Sequence, residues 1–169
     1  MEVRPKLIIE HTRVDKVLEA SCFIILIILW TGTIAGFSKL PDLIPSHFNA
    51  GGQADDYCDR ISIFTLPIVA TVLYIGMTIL NRYPHIYNYP ARVTVDNARH
   101  LYTSATRLIR VLKLAVIVIF SGIVLMTYKT SLTDGYGLGT WFLPLAVGLM
   151  ILPSFIYLIK SSNSKQISR

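Results

Sequence analysis

Charge is what this sequence has least of. Only 15% of its 169 residues are charged, against about 25% in an ordinary soluble domain, which argues against a globular enzyme with a large water-facing surface. Two stretches, Ala20–Ser38 and Ile61–Asn81, carry no charge at all. The apolar runs, of which the third is charge-free only over Leu114–Tyr128, also hold no Asp, Glu, Lys, Arg or His between their ends. Ion and proton pathways normally keep such groups despite their cost in hydrocarbon. With no internal repeat either, a solitary secondary transporter is disfavoured. Cysteine is scarce. Cys22 and Cys58 form no C-x-x-C and belong near opposite ends of the first run, about 20 Å or more apart at helical rise. A disulfide needs Cα atoms within about 7 Å, so none is expected within one chain. A signal peptide's basic leader and small-residue cleavage site are missing as well. Met1–Glu19 is balanced, with Arg4, Lys6, Arg13 and Lys16 against Glu2, Glu10, Asp15 and Glu19, so the first run reads as a retained span.

What the sequence has instead is length in its apolar segments. Apolar residues make up 53% of the chain. About twenty of them at 1.5 Å rise cross a ~30 Å hydrocarbon core. The expected fold is an all-α integral membrane protein, one membrane domain over 1–169, built as a bundle of four transmembrane helices. The spans are expected at about 20–38, 61–81, 108–128 and 140–159. Gly32 and Gly36 make a G-x-x-x-G in the first span, which lets helices approach closely, by local packing or in a homodimer. Pro67 sits in the first turns of the second span. Pro144 and Pro153 predict a bent fourth span. Before the third, Thr94 is placed to cap a helix, with Asp96 in its first turn. From Val95 onward, apolar residues recur every three or four positions. This amphipathic segment is expected to run into the third span and to extend it into the cytoplasm. Arg99, Arg107 and Arg110 are expected as a solvated, lipid-facing stripe, with Arg110 and Lys113 snorkelling toward headgroups. Tyr83, Tyr87 and Tyr89 fit an aromatic belt, and His85 and His100 fit interfacial anchors. The tail from Lys160 is basic, Ser-rich and expected to be disordered at its end.

With four spans, the N-terminus, the second connection and the tail share a side, and they carry thirteen Lys and Arg. The other side carries three: Lys39, Arg60 and Lys129. That asymmetry predicts a multi-pass membrane protein with both termini cytoplasmic. It also assigns the formal charge of +6 to topology and to attraction for anionic lipid. Nucleic acid is not an expected partner.

Between the first two runs lies Leu40–Arg60, LPDLIPSHFNAGGQADDYCDR, an outer loop over 39–60. Pro41 and Pro45 keep it extended, and Asn49-Ala50-Gly51-Gly52 supplies a reversal. Leu40, Pro41, Ile44, Pro45, His47, Phe48, Asn49, Gly52, Asp55 and Tyr57 fit a pattern of the form L-P-x-x-I-P-x-H-F-N-x-x-G-x-x-D-x-Y. Arg60 stands where Lys is usual, and Asp56, Cys58 and Asp59 depart from the pattern. A second pattern falls on Asn88, Tyr89, Pro90, Thr94, Asn97, Ala98 and Tyr102. Over roughly residues 20–125 the chain thereby resembles small bacterial membrane proteins with a domain of unknown function, a domain shared with the N-terminal half of Sdp-type toxin-immunity proteins. The resemblance implies architecture and, for function, a protein of the immunity or envelope-stress type.

His47, Asp55 and Asp56 are the candidates for a metal, offering imidazole and carboxylate donors to a divalent cation. A single His with no thiolate is thin for zinc. The structural alternative has His47 bonding loop backbone, Asn49 and Gly52 forming the turn, and Asp55 capping the second helix or pairing with Arg60. A third reading makes the loop a recognition surface for an extracytoplasmic peptide. Cys58 has no legible base and orienting residue beside it, so no enzyme activity and no cofactor are expected. The leading expectation is a non-enzymatic membrane protein whose loop 40–60 is a recognition or structural motif. An accessory subunit of a transport system, docking through a membrane-protein partner, is the alternative. A metal-dependent membrane enzyme is the remote one.

Overall fold

A computed structural model describes residues 4–133 and 137–163. Residues 13–37 form α1 (Arg13–Phe37). A hairpin of β1 (Leu43–Phe48) and β2 (Ala54–Asp59) follows, then a 3-10 turn at Arg60–Phe64 and α2 (Thr65–Leu80). A second 3-10 turn at Pro84–Ile86 precedes α3 (Val95–Leu132) and α4 (Phe142–Asn163). Four helical segments are long and apolar enough to cross a membrane: α1, Arg60–Leu80, α3 and Phe142–Ser161. The chain is thus a multi-pass membrane protein, with one addition to the all-α expectation, a small antiparallel sheet.

The long helix α3 is the organising element. α1, α2, α4 and β1 all pack against it. One buried cluster fills the spanning region, with Cys22, Leu26, Leu29, Ala70, Ile117 and Val124 joined by Leu40, Ile44 and Ile63 from around the hairpin. Trp30 Nε1 donates to Thr71 Oγ1 at 2.9 Å and fixes α1 to α2. The outward faces of α1, α2 and α4 are lined with exposed Ile, Leu, Val and Phe. On a soluble protein, patches of that kind mark interaction sites; on four membrane-crossing helices they are the surface lipid covers.

Several boundaries move, each for a local reason. α1 begins at Arg13 and not near 20, because Thr12 and Asp15 form a capping box: Asp15 N donates to Thr12 Oγ1, and Thr12 N donates to Asp15 Oδ2 at 2.9 Å. α3 is continuous over 38 residues, as expected from its periodicity, and is capped by Thr94 and Asn97 in the same way. Pro144 is the third residue of α4, where a missing N–H costs no intrahelical bond, and Pro67 is the third residue of α2, just after the 3-10 turn. Only Pro153 is interior to a helix. Asp134 and Gly135 of the connection between α3 and α4, and the tail beyond 163, lie outside the described residues.

The arginine stripe is a larger correction. Arg99 is exposed, but Arg110 and Lys113 are 3% and 1% exposed. They turn inward to carboxylates on α1 instead of snorkelling outward. A cation held inside a bundle is expensive unless paired, and Asp15 and Glu19, one helical turn apart, present the partners.

Candidate functional site

The 39–60 segment, expected as an extended loop, is the β1–β2 hairpin. β-branched or aromatic residues at Ile44, Phe48 and Tyr57 suit a pleat, and the Asn-Ala-Gly-Gly turn closes it. Asn49 N donates to Gln53 O at 2.9 Å, and Gly52 N donates to Asn49 O at 2.8 Å. The Asn49 side chain accepts from Gly51 N and Gln53 N. Gly52 has φ of 76°, a left-handed conformation that L side chains disfavour.

Motif residues split between two faces. Leu40, Ile44 and Pro45 are buried and seat β1 on the bundle, and Phe48 is half-buried. No residue of β2 is buried. Pro41, His47, Asp55, Asp56, Tyr57 and Asp59 face away from the core. β1 and β2 pair from Leu43 opposite Asp59 to Phe48 opposite Ala54, with register shifts on both sides of His47. Such a bulge re-aims a side chain. His47 lies opposite Asp56 in register, yet its Nδ1 meets Asp55 Oδ1 at 2.5 Å.

That geometry corrects two expected roles. Asp55 neither caps the second helix nor pairs with Arg60; it holds His47. Asp59 instead caps the 3-10 turn at Arg60–Phe64, its Oδ1 accepting from Ile61 N at 2.8 Å, and α2 itself starts after Phe64 with no side-chain cap. Arg60 lies 3.7 Å from the Asp42 carboxylate and stacks over Phe37. His47 bonds a side chain and not loop backbone. Asp56 accepts from Tyr57 N at 2.9 Å and does not join the His47–Asp55 pair. Among the described residues, no three His, Cys, Asp or Glu side chains gather as a metal would require. Cys58 Sγ meets Ser62 Oγ at 2.8 Å, and both cysteines are free thiols.

The hairpin is also tied from above. Leu138 N, in the connection after α3, donates to Gly52 O at 2.8 Å. A Cβ on Gly52 would fall 2.6 Å from Gly139 O, and one on Gly137 would collide with Gly52 O. Glycine at 52 therefore serves both the turn and this backbone-to-backbone approach. Only the first was legible in the sequence. Gly36 has a similar use inside the chain, because a Cβ there would meet the Tyr128 ring at 2.6 Å, whereas Gly32 meets nothing within 4 Å.

The second motif builds the opposite, terminal end. Thr94 and Asn97 are the α3 capping box, and Asn97 Nδ2 also donates to Arg92 O at 3.0 Å. Tyr89 and Tyr102 are buried, with rings 5.6 Å apart, and Tyr87 stacks on Tyr89 at 6.1 Å. Only Tyr83 of the expected aromatic belt is exposed. Asn88 and Pro90 are exposed on the connection. The N-terminal arm closes over this stack: Tyr102 OH donates to Pro5 O at 3.1 Å, Arg4 donates to Tyr87 O at 2.6 Å, and Leu7 and Ile9 pack in. Burial pushes the Tyr87 phenol up to about 12 and raises that of Tyr89 as well, so both remain neutral donors, to Leu80 O and Pro84 O.

Just inside this end lies the network that sequence reasoning missed. Lys113 Nζ donates to Glu19 Oε2 at 2.6 Å and to Thr78 Oγ1 at 2.9 Å, and sits over the Tyr74 ring. Arg110 Nε donates to Glu19 Oε1 at 3.1 Å, and Arg107 Nε donates to Asp15 Oδ1 at 3.0 Å. The available signal was the pairing of two helical spacings, 15/19 with 107/110/113.

No solved structure matches this chain. An uncharacterized protein of Archaeoglobus fulgidus is 33% identical over 72 residues, covering 38% of this chain and 39% of the relative, so the chain spans about two fifths of the curated protein it matches. Residues 23–71, which run from α1 through the hairpin into α2, match the model of a domain of unknown function, DUF1648.

Proposed function

We propose that this is a non-enzymatic multi-pass membrane protein of the immunity or envelope-stress type, and that its hairpin recognises an extracytoplasmic peptide. The observation that carries this reading is the asymmetry of the hairpin. β1 is seated on α3, while β2, Ala-Asp-Asp-Tyr-Cys-Asp, buries no residue. An exposed strand can accept an extended peptide by main-chain pairing, with side chains adding selectivity. Asp55, Asp56 and Asp59 make that strand acidic, which favours a cationic peptide. Tyr57, 55% exposed, supplies an aromatic anchor. The resemblance to toxin-immunity proteins supports the same reading. The Lys and Arg asymmetry supports an orientation with the hairpin outside and both termini cytoplasmic, and the resemblance supports a plasma-membrane location.

The test is a photo-crosslinking residue at Tyr57 in intact cells. A peptide-sized adduct that disappears when Asp55 and Asp56 are changed to Lys is the expected result. Adducts with lipid or with the chain itself alone would sink the reading.

A further inference from the structure

A cleft of about 440 Å³ opens between α3 and α4 at the terminal end, on the side of α3 that also carries Arg107. We propose that it is a binding site for an anionic phospholipid, with one acyl chain along its wall and the headgroup at its rim. This rests on the membrane-crossing fold and not on the recognition reading of the hairpin.

The cleft has the two-part chemistry of an amphiphile. Leu108, Val111, Leu152 and Ile156 form the wall, on helices whose outward faces lie in lipid. Toward the helix ends the lining becomes polar and cationic, with His100, Ser104, Arg107 and Lys160. No carboxylate lines the cleft among the described residues. The nearby acids are already paired: Asp15 with Arg107 at the rim, and Glu19 with Arg110 and Lys113. Arg107 is balanced by Asp15, so Lys160 and His100, both exposed, carry the recognition. Neither makes an ion pair among the described residues. A volume of this size lies within the ~300–1,000 Å³ of small-molecule sites. Basic pockets between spanning helices are a known chemical match for anionic headgroups.

The full chain, purified in detergent, is titrated with phosphatidylglycerol, phosphatidylethanolamine or inorganic phosphate, and retained lipid is counted by native mass spectrometry. Phosphatidylglycerol is expected to be retained in preference to phosphatidylethanolamine. Lys160→Gln should weaken its retention about fivefold, the increment for one surface cation near anionic lipid, and His100→Gln should weaken it further. Arg99→Gln, exposed on α3 outside the cleft, should leave retention unchanged. Leu152→Trp, which crowds the wall and keeps Lys160 and His100, should lower it. Equal retention of the two phospholipids would overturn the proposal. So would an equal loss in Arg99→Gln, unchanged retention in Leu152→Trp, or displacement of the lipid by equimolar inorganic phosphate, which would mark a simple anion site.

Discussion

Lys113 reaches Glu19 at 2.6 Å across the α1–α3 interface while being 1% exposed itself. Thr78 of α2 accepts from the same ammonium, so one cation joins three helices. Removing one member of a buried pair leaves the other uncompensated, at about 3–5 kcal/mol. Glu19→Leu should destabilise the protein on that scale in denaturant unfolding from detergent. Glu19→Leu combined with Lys113→Met should recover part of the loss. A double variant no better than Glu19→Leu alone would mean that Arg110, and not Lys113, is the partner that matters.

Gly52 should tolerate no side chain. Gly52→Ala meets both a left-handed backbone, at about 1–2 kcal/mol, and the Gly139 backbone. Gly51→Ala meets only the Asn49 side chain at 3.2 Å and should be milder. Hydrogen exchange at the Leu138 amide reads the difference directly, with protection lost in Gly52→Ala and kept in Gly51→Ala.

The His47–Asp55 contact is exposed, at 66% and 42% of the two side chains, and exposed pairs contribute about 0–1 kcal/mol. His47→Gln and Asp55→Asn should each cost no more than that, and chelator should leave the melting temperature unchanged. A chelator-sensitive melting temperature in the natural protein, lost in both variants, would establish a metal site instead.

Cys58 stands half-buried on the hairpin and Cys22 fully buried between helices. In intact cells a membrane-impermeant thiol reagent should label Cys58 and spare Cys22. Labelling of Cys58 only after lysis would reverse the orientation.

The amino-acid sequence by itself determined the membrane class, the four crossings and their approximate places. Hydrocarbon imposes a length and an apolarity that any single run either meets or does not. It also determined the α3 start at Thr94 and the turn at Asn49–Gly52, because capping and turn chemistry act within four residues. The tertiary structure decided the rest. Asp15 and Glu19 look like ordinary charges in a balanced leader, and Arg107, Arg110 and Lys113 look like an outward stripe. Which way a charged side chain points depends on what the neighbouring helix offers, and that helix lies some ninety residues away in sequence. The same holds at the hairpin. A polar, proline-bearing stretch reads as a loop until α3 gives Leu40 and Ile44 a surface on which to bury. Asp55 finds His47 only because a bulge turns the ring toward it. Local rules fix where elements begin and turn; pairing across the bundle fixes which face each one shows.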